Sequence, residues 1–98
     1  MLYWLIYDIS NNGTRKKVSD KCKDYGMFRI QKSAFIGELT ANKSEMLMEE
    51  LQSITGEGFS DCVFLIPTCK DCFKSREIIG YFNEEALEKK ELVFLSSC

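Results

Sequence analysis

Leu2-Tyr3-Trp4-Leu5-Ile6-Tyr7-Asp8 is a run of six apolar or aromatic residues halted by a carboxylate. A short segment apolar at every position and rich in β-formers reads as a strand covered on both faces, not as one side of an exposed sheet. The polar stretch Ser10-Asn11-Asn12-Gly13-Thr14 follows. It supplies N-cap side chains for a helix from about Arg15 to Tyr25, with Val18, Cys22 and Tyr25 on its inner side and Gly26 as its stop.

Beyond Gly26, Phe28, Ile30, Phe35 and Leu39 alternate with polar residues, but the parity changes between Ile30 and Phe35. That change predicts a bend near Gln31 to Ser33, and hence one bent strand or two short ones. Thr40 or Asn42 can cap a second helix from about Ala41 to Ile54, with Leu47, Leu51 and Ile54 inward and Gly56 and Gly58 ending it. Cys62-Val63-Phe64-Leu65-Ile66 is a second wholly apolar run, closed by Pro67. Thr68 to Lys74 reads as a short turn or helical turn, Arg76 to Gly80 as a further short strand, and Leu92 to Leu95 as a last apolar run. The order is that of an α+β, ferredoxin-like βαββαβ sandwich with an extra C-terminal strand. Residues 1–98 are read as a single domain, with its core in 1–80 and a dimer- or partner-binding segment in 81–98. With both helices on one sheet face, the apolar residues of the other face require a cover, and a homodimer is the simplest supply.

The net charge of −2 conceals an asymmetry: residues 1–37 hold seven basic and three acidic groups, and the remainder six and twelve. One positive face on an acidic protein is therefore expected, and it suits nucleic-acid phosphates. Arg15, Lys16, Lys17, Lys21, Lys23, Arg29 and Lys32 form the basic set, the arginines offering forked donors and the lysines point charges. Tyr7 and Phe35 either stack on bases or fill the core. The chain has no histidine, so acid, base or metal chemistry falls to carboxylates, thiols, lysine and tyrosine. Asp8, at the end of a rigid apolar strand, is placed to hold a divalent cation or, alternatively, to cap the turn that follows. Two copies of Asp8 meeting across a twofold axis would suffice for Mg²⁺.

Five cysteines, no apolar stretch of spanning length and no basic segment ahead of Leu2 point to reduced thiols and a cytoplasmic protein with no membrane contact. Cys69-Lys70-Asp71-Cys72 has the spacing of zinc knuckles and redox pairs. A closed zinc site needs a second pair, and thioredoxin-like chemistry expects the motif early in the chain. A structural turn with free thiols is the first reading, with a reversible disulfide or an inter-subunit metal site as alternatives.

Tyr7-Asp8-Ile9-Ser10, Arg15-Lys16-Lys17-Val18, the run from Arg29 to Leu39 (RIQKSAFIGEL) and Pro67-x-Cys69 together resemble the small CRISPR-associated endonuclease of the Cas-two family. The resemblance spans residues 1 to about 80. It implies a ferredoxin-like homodimer with a nuclease activity on RNA or double-stranded DNA, Asp8 as catalytic ligand for Mg²⁺ or Mn²⁺, and Tyr7, Arg15, Lys17, Arg29 and Phe35 at nucleic-acid-handling positions. It also implies a part in spacer acquisition for antiviral defence. There the dimer acts as nuclease or as a non-catalytic DNA-binding scaffold bridging the CRISPR integrase subunits.

Overall fold

The structure is a computed structural model that describes residues 1–77, 79 and 80 of the 98. Strand β1 (Leu2–Asp8), helix α1 (Asn12–Asp24), strands β2 (Phe28–Gln31) and β3 (Ala34–Glu38), helix α2 (Ala41–Thr55), strand β4 (Cys62–Thr68) and the short helix α3 (Lys70–Lys74) follow in that order. The strands form one antiparallel sheet in the order β2-β3-β1-β4. This is the ferredoxin-like arrangement, with the first and third strands central.

Local chemistry sets the element ends. Asn11 caps α1 by accepting from the Thr14 backbone N–H at 2.8 Å, so the helix starts three residues before Arg15, where sequence placed its beginning. Thr40 caps α2 through the Lys43 N–H at 3.1 Å, and Gly56 ends it at φ +75°, a conformation that costs other residues strain. The bent stretch resolves into β2 and β3, joined at Lys32-Ser33 with a register irregularity between Arg29 and Gln31.

Two cores result. On the helix-bearing face, Leu5, Tyr7, Phe35 and Leu39 meet Val18 and Cys22 of α1 and Leu47 and Leu51 of α2. On the opposite face, Leu2, Ile30 and Ile36 are closed over by Phe73 of α3, whose ring lies 5.3 Å from that of Trp4. The chain therefore supplies part of the cover expected from a second subunit. The cover stops short: Ile6, Phe64 and Ile66, on the same face, are 37%, 52% and 43% exposed. Ile6 pairs with Phe64, and Trp4 with Ile66, so these side chains are cross-strand neighbours.

Two expectations need correction. Arg76 to Gly80 contributes no strand among its described residues: the Arg76 N–H donates to Phe73 O at 3.1 Å, finishing α3, and Ile79 is fully exposed. The fourth place in the sheet is already taken by the Cys62 run, which is an edge strand; its unbroken hydrophobicity reflects one face under the helices and one left bare. Pro67 lies within β4, before its last residue Thr68, as an edge strand allows. The expected strand at Leu92 to Leu95, and segment 81–98 with it, lie outside the described residues.

Gly37 sits where β3 passes Met27. A Cβ at this position would stand 2.9 Å from Met27 Cγ and 3.0 Å from its Cα, inside a buried contact. Gly37→Ala should therefore lower stability by about 1–3 kcal/mol through overpacking, read as a shift in the denaturation midpoint at unchanged slope.

Candidate functional site

Alternation along β1 divides the residues flagged by sequence. Tyr7 points under the helices and is 2% exposed, whereas Asp8 turns to the opposite face and is exposed. The Tyr7 N–H donates to Ser33 O at 2.9 Å, and its hydroxyl donates to Lys32 O at 3.2 Å. Both donors of Tyr7 therefore clamp the β2–β3 turn. Burial holds its phenol above the usual value, against the opposing pull of Arg29.

Phe35 is wholly buried and is stacked on the Tyr7 ring, with centroids 6.3 Å apart and the planes inclined by 27°. Stacking of Tyr7 or Phe35 on a base is thus corrected: neither ring has a free face. They act from beneath. The Arg29 guanidinium rests over Phe35 at 5.3 Å from the ring centroid and donates from Nη2 to Ser19 Oγ at 2.5 Å.

Arg29 lines one wall of a basin of about 580 Å³ between α1 and the β2–β3 turn. Arg15, Lys16, Ser19 and Lys23 line the α1 side, spaced so that three- and four-residue steps bring them to one flank. Lys32 and Ser33 come from the turn that Tyr7 holds. The single acid on the wall, Asp20, is engaged by Lys16 at 2.7 Å, and that hydrogen bond keeps its carboxyl below the ordinary value. Arg15 donates to Asn12 Oδ1 and lies 3.5 Å from Ile9 O, which ties the first turn of α1 to the end of β1. Lys17 is exposed on α1 but does not line this basin. What the basin offers chemically is a set of cationic donors on a hydrogen-bonded floor, suited to an oxyanion-rich chain.

Asp8 lies across the sheet from this wall and pairs in register with Cys62. Next to it, Ser10 donates from its backbone N–H and its hydroxyl to Asp61 Oδ2, each at 2.9 Å, clasping the loop after β1 to the start of β4. Sequence reading missed Asp61 and Ser19, which are 51 and 10 residues from their partners; no local pattern signals such pairs. Among the described residues no three groups of metal-ligating type gather at one place. Asp8 is exposed at the end of β1.

The family described as "CRISPR associated protein Cas2" matches residues 1–76, a span that includes Asp8, both walls of the basin and all four strands. The chain belongs to the Cas2 family. A Cas2 protein of Archaeoglobus fulgidus named as a CRISPR-associated endoribonuclease is 33% identical over 95 residues, covering 97% of this chain and all of that one. A Cas2 of Korarchaeum cryptofilum with the same designation is 43% identical over 76 residues, covering 78% and 81%. The crystal structure of Streptococcus pyogenes Cas2 superposes with a TM-score of 0.72 over 82% of this chain and all of that one; at 22% identity it speaks for the fold. Among the described residues no helix is long and apolar enough to cross a membrane.

The two Ser10 donors hold the Asp61 carboxyl below its ordinary value of 3.8. A depressed carboxylate contributes stability above its unfolded value and loses that contribution as pH falls through its folded one. In a carboxyl NMR titration, Ser10→Ala should move the Asp61 midpoint only part of the way up toward 3.8, because the Ser10 backbone N–H, the larger of the two causes, is retained.

Proposed function

We propose that this chain works as a homodimeric, divalent-metal-dependent endonuclease that hydrolyses phosphodiesters of RNA or double-stranded DNA during CRISPR spacer acquisition, an antiviral defence. The observation that carries the reading is the position of Asp8: an exposed carboxylate at the rim of the same sheet face on which Ile6, Phe64 and Ile66 are bare. Burial of that face against a second copy would remove the exposed apolar surface, at roughly 25 cal/mol per Å², and would bring two Asp8 groups toward the twofold axis. The names of the relatives as endoribonucleases support the reaction class.

The donor chemistry fits Mg²⁺ or Mn²⁺, hard cations usually held by one or two carboxylates, with water and substrate phosphate completing the shell. Asp8 of each copy would hold the ion, and the chemistry the ion supplies is Lewis acidity toward a phosphodiester oxygen. The chain's own residues do the rest. Arg29 and Arg15 grip backbone phosphates through forked donors, Lys16, Lys23 and Lys32 add point charge, and Tyr7 and Phe35 keep that wall in place from below. Lys17 adds charge on α1 away from the basin.

A second reading, a non-catalytic DNA-binding scaffold that bridges CRISPR integrase subunits, has its own support. The basin and Asp8 belong to opposite faces of the sheet, so a duplex held along the basic wall need not reach the carboxylate at all. Cytoplasmic location follows from either reading.

Asp8→Asn discriminates between them. The amide preserves size but lacks the charge a hard cation requires. The variant should sediment at twice the chain mass like the parent, keep its thermal midpoint without metal, and lose cleavage of RNA or duplex DNA in Mg²⁺ or Mn²⁺ by about a hundredfold or more. Equal cleavage by both proteins removes Asp8 from the reaction. Failure of both to cleave, with integration by the partner integrase intact, selects the scaffold.

Binding by the basic wall should be electrostatic. Replacing Arg15, Lys23 and Arg29 by Ala should reduce the slope of log affinity against log salt by roughly one unit per lost duplex phosphate contact, measured by fluorescence anisotropy. Replacing Lys17 alone should change it less. An unchanged slope in the triple variant places the binding face elsewhere.

A further inference from the structure

Cys69 and Cys72 take no part in the site described above, yet they are arranged for chemistry of their own. Cys69 caps α3, and its Sγ accepts the Cys72 backbone N–H at 3.2 Å. Both residues are exposed. A cap residue and the third residue of the helix it caps share one turn, so the two sulfurs are neighbours without backbone movement. The other two cysteines among the described residues are differently placed. Cys22 is wholly buried in the core and its thiol is pushed up to about 12, which makes it unreactive. Cys62 lies at the far end of the seven-residue β4, roughly 20 Å from the pair at 3.3 Å per residue.

We propose that Cys69 and Cys72 form a reversible dithiol–disulfide couple that exchanges with low-molecular-weight disulfides of the glutathione type. Cys69 is the attacking sulfur. The Cys72 side chain and the Cys72 N–H that Cys69 Sγ accepts hold it below the ordinary thiol value, while the neighbouring Cys69 raises Cys72. The thiolate attacks one sulfur of the small disulfide, forming a mixed disulfide at Cys69 and releasing one thiolate. Cys72 then loses its proton to solvent and attacks the Cys69 sulfur, expelling the second thiolate. The two cysteines lose two electrons between them, the small disulfide gains two, and two small thiols leave.

The couple is built into the turn that seats Phe73 against Trp4 on the second sheet face, so oxidation and reduction act on the element that half-covers that face. The inference does not depend on nuclease activity.

The test exposes the full chain to oxidised glutathione, traps the products with acid, alkylates the free thiols and maps them by peptide mass spectrometry. The expected result is an intrachain Cys69–Cys72 disulfide, fully reversed by dithiothreitol, with Cys62 still alkylated. Cys72→Ser should halt at a stable glutathione adduct on Cys69. Cys69→Ser should take up glutathione at Cys72 more slowly, since the residue 72 N–H is directed at the side chain of position 69 and stabilises a thiolate there. Three outcomes overturn the proposal: both cysteines remaining alkylatable in the parent, a glutathione adduct that persists in the parent without resolving, or equal reactivity of the two single variants.

Discussion

Side chains alternate across a strand with a period of two, and in β1 that constraint propagates through the whole molecule. Seating Leu5 and Tyr7 beneath the helices puts Leu2, Trp4 and Ile6 on the opposite face, with Asp8 at its rim. A register slip of one residue would bury the carboxylate and expose Tyr7, losing both the core and the clamp on the β2–β3 turn. β1 is paired along its length with β4 and over five residues with β3, so its register is held from both edges. The division between a basic wall on one side and a carboxylate on the other therefore follows from how one strand is paired.

Much of this was legible in the chain. The apolar run ending at Asp8, the change of parity after Ile30, and the caps at Asn11 and Thr40 are local signals, and each element they announce is present. The reading failed where the deciding partner was distant. The Cys62 run is apolar at every residue, but hydrophobicity cannot distinguish a strand enclosed by its own chain from one with a bare side. Arg76 to Gly80 resembles a strand in composition, yet its described residues join no strand and the chain spends Arg76 on finishing α3. Phe73 could not be recognised as a lid on the second face, because its contact with Trp4 joins residues far apart in sequence.

The site divides in the same way. Arg15 and Arg29 were identifiable by type and Asp8 by position, but spacing alone could not tell whether Tyr7 and Phe35 face a ligand or the core. Their burial gives them a different part, as the support on which Arg29 lies. Lys17 belongs to the basic run yet falls on another flank of α1, one residue before buried Val18. Ser19 and Asp61 were invisible, being ordinary polar residues until the fold brings them to Arg29 and Ser10.

The stack of Tyr7, Phe35 and Arg29 has a consequence for how an anion is met. A long cationic side chain usually surrenders rotamer freedom when it is fixed on a ligand, at about 0.5–1.5 kcal/mol per chain. Arg29 has already surrendered much of that freedom on folding, pinned by a ring below and by Ser19 beside it. The lysines along α1 have no such floor. The wall thus presents a stationary point of attachment at Arg29, so that a polyanion sliding past is indexed there.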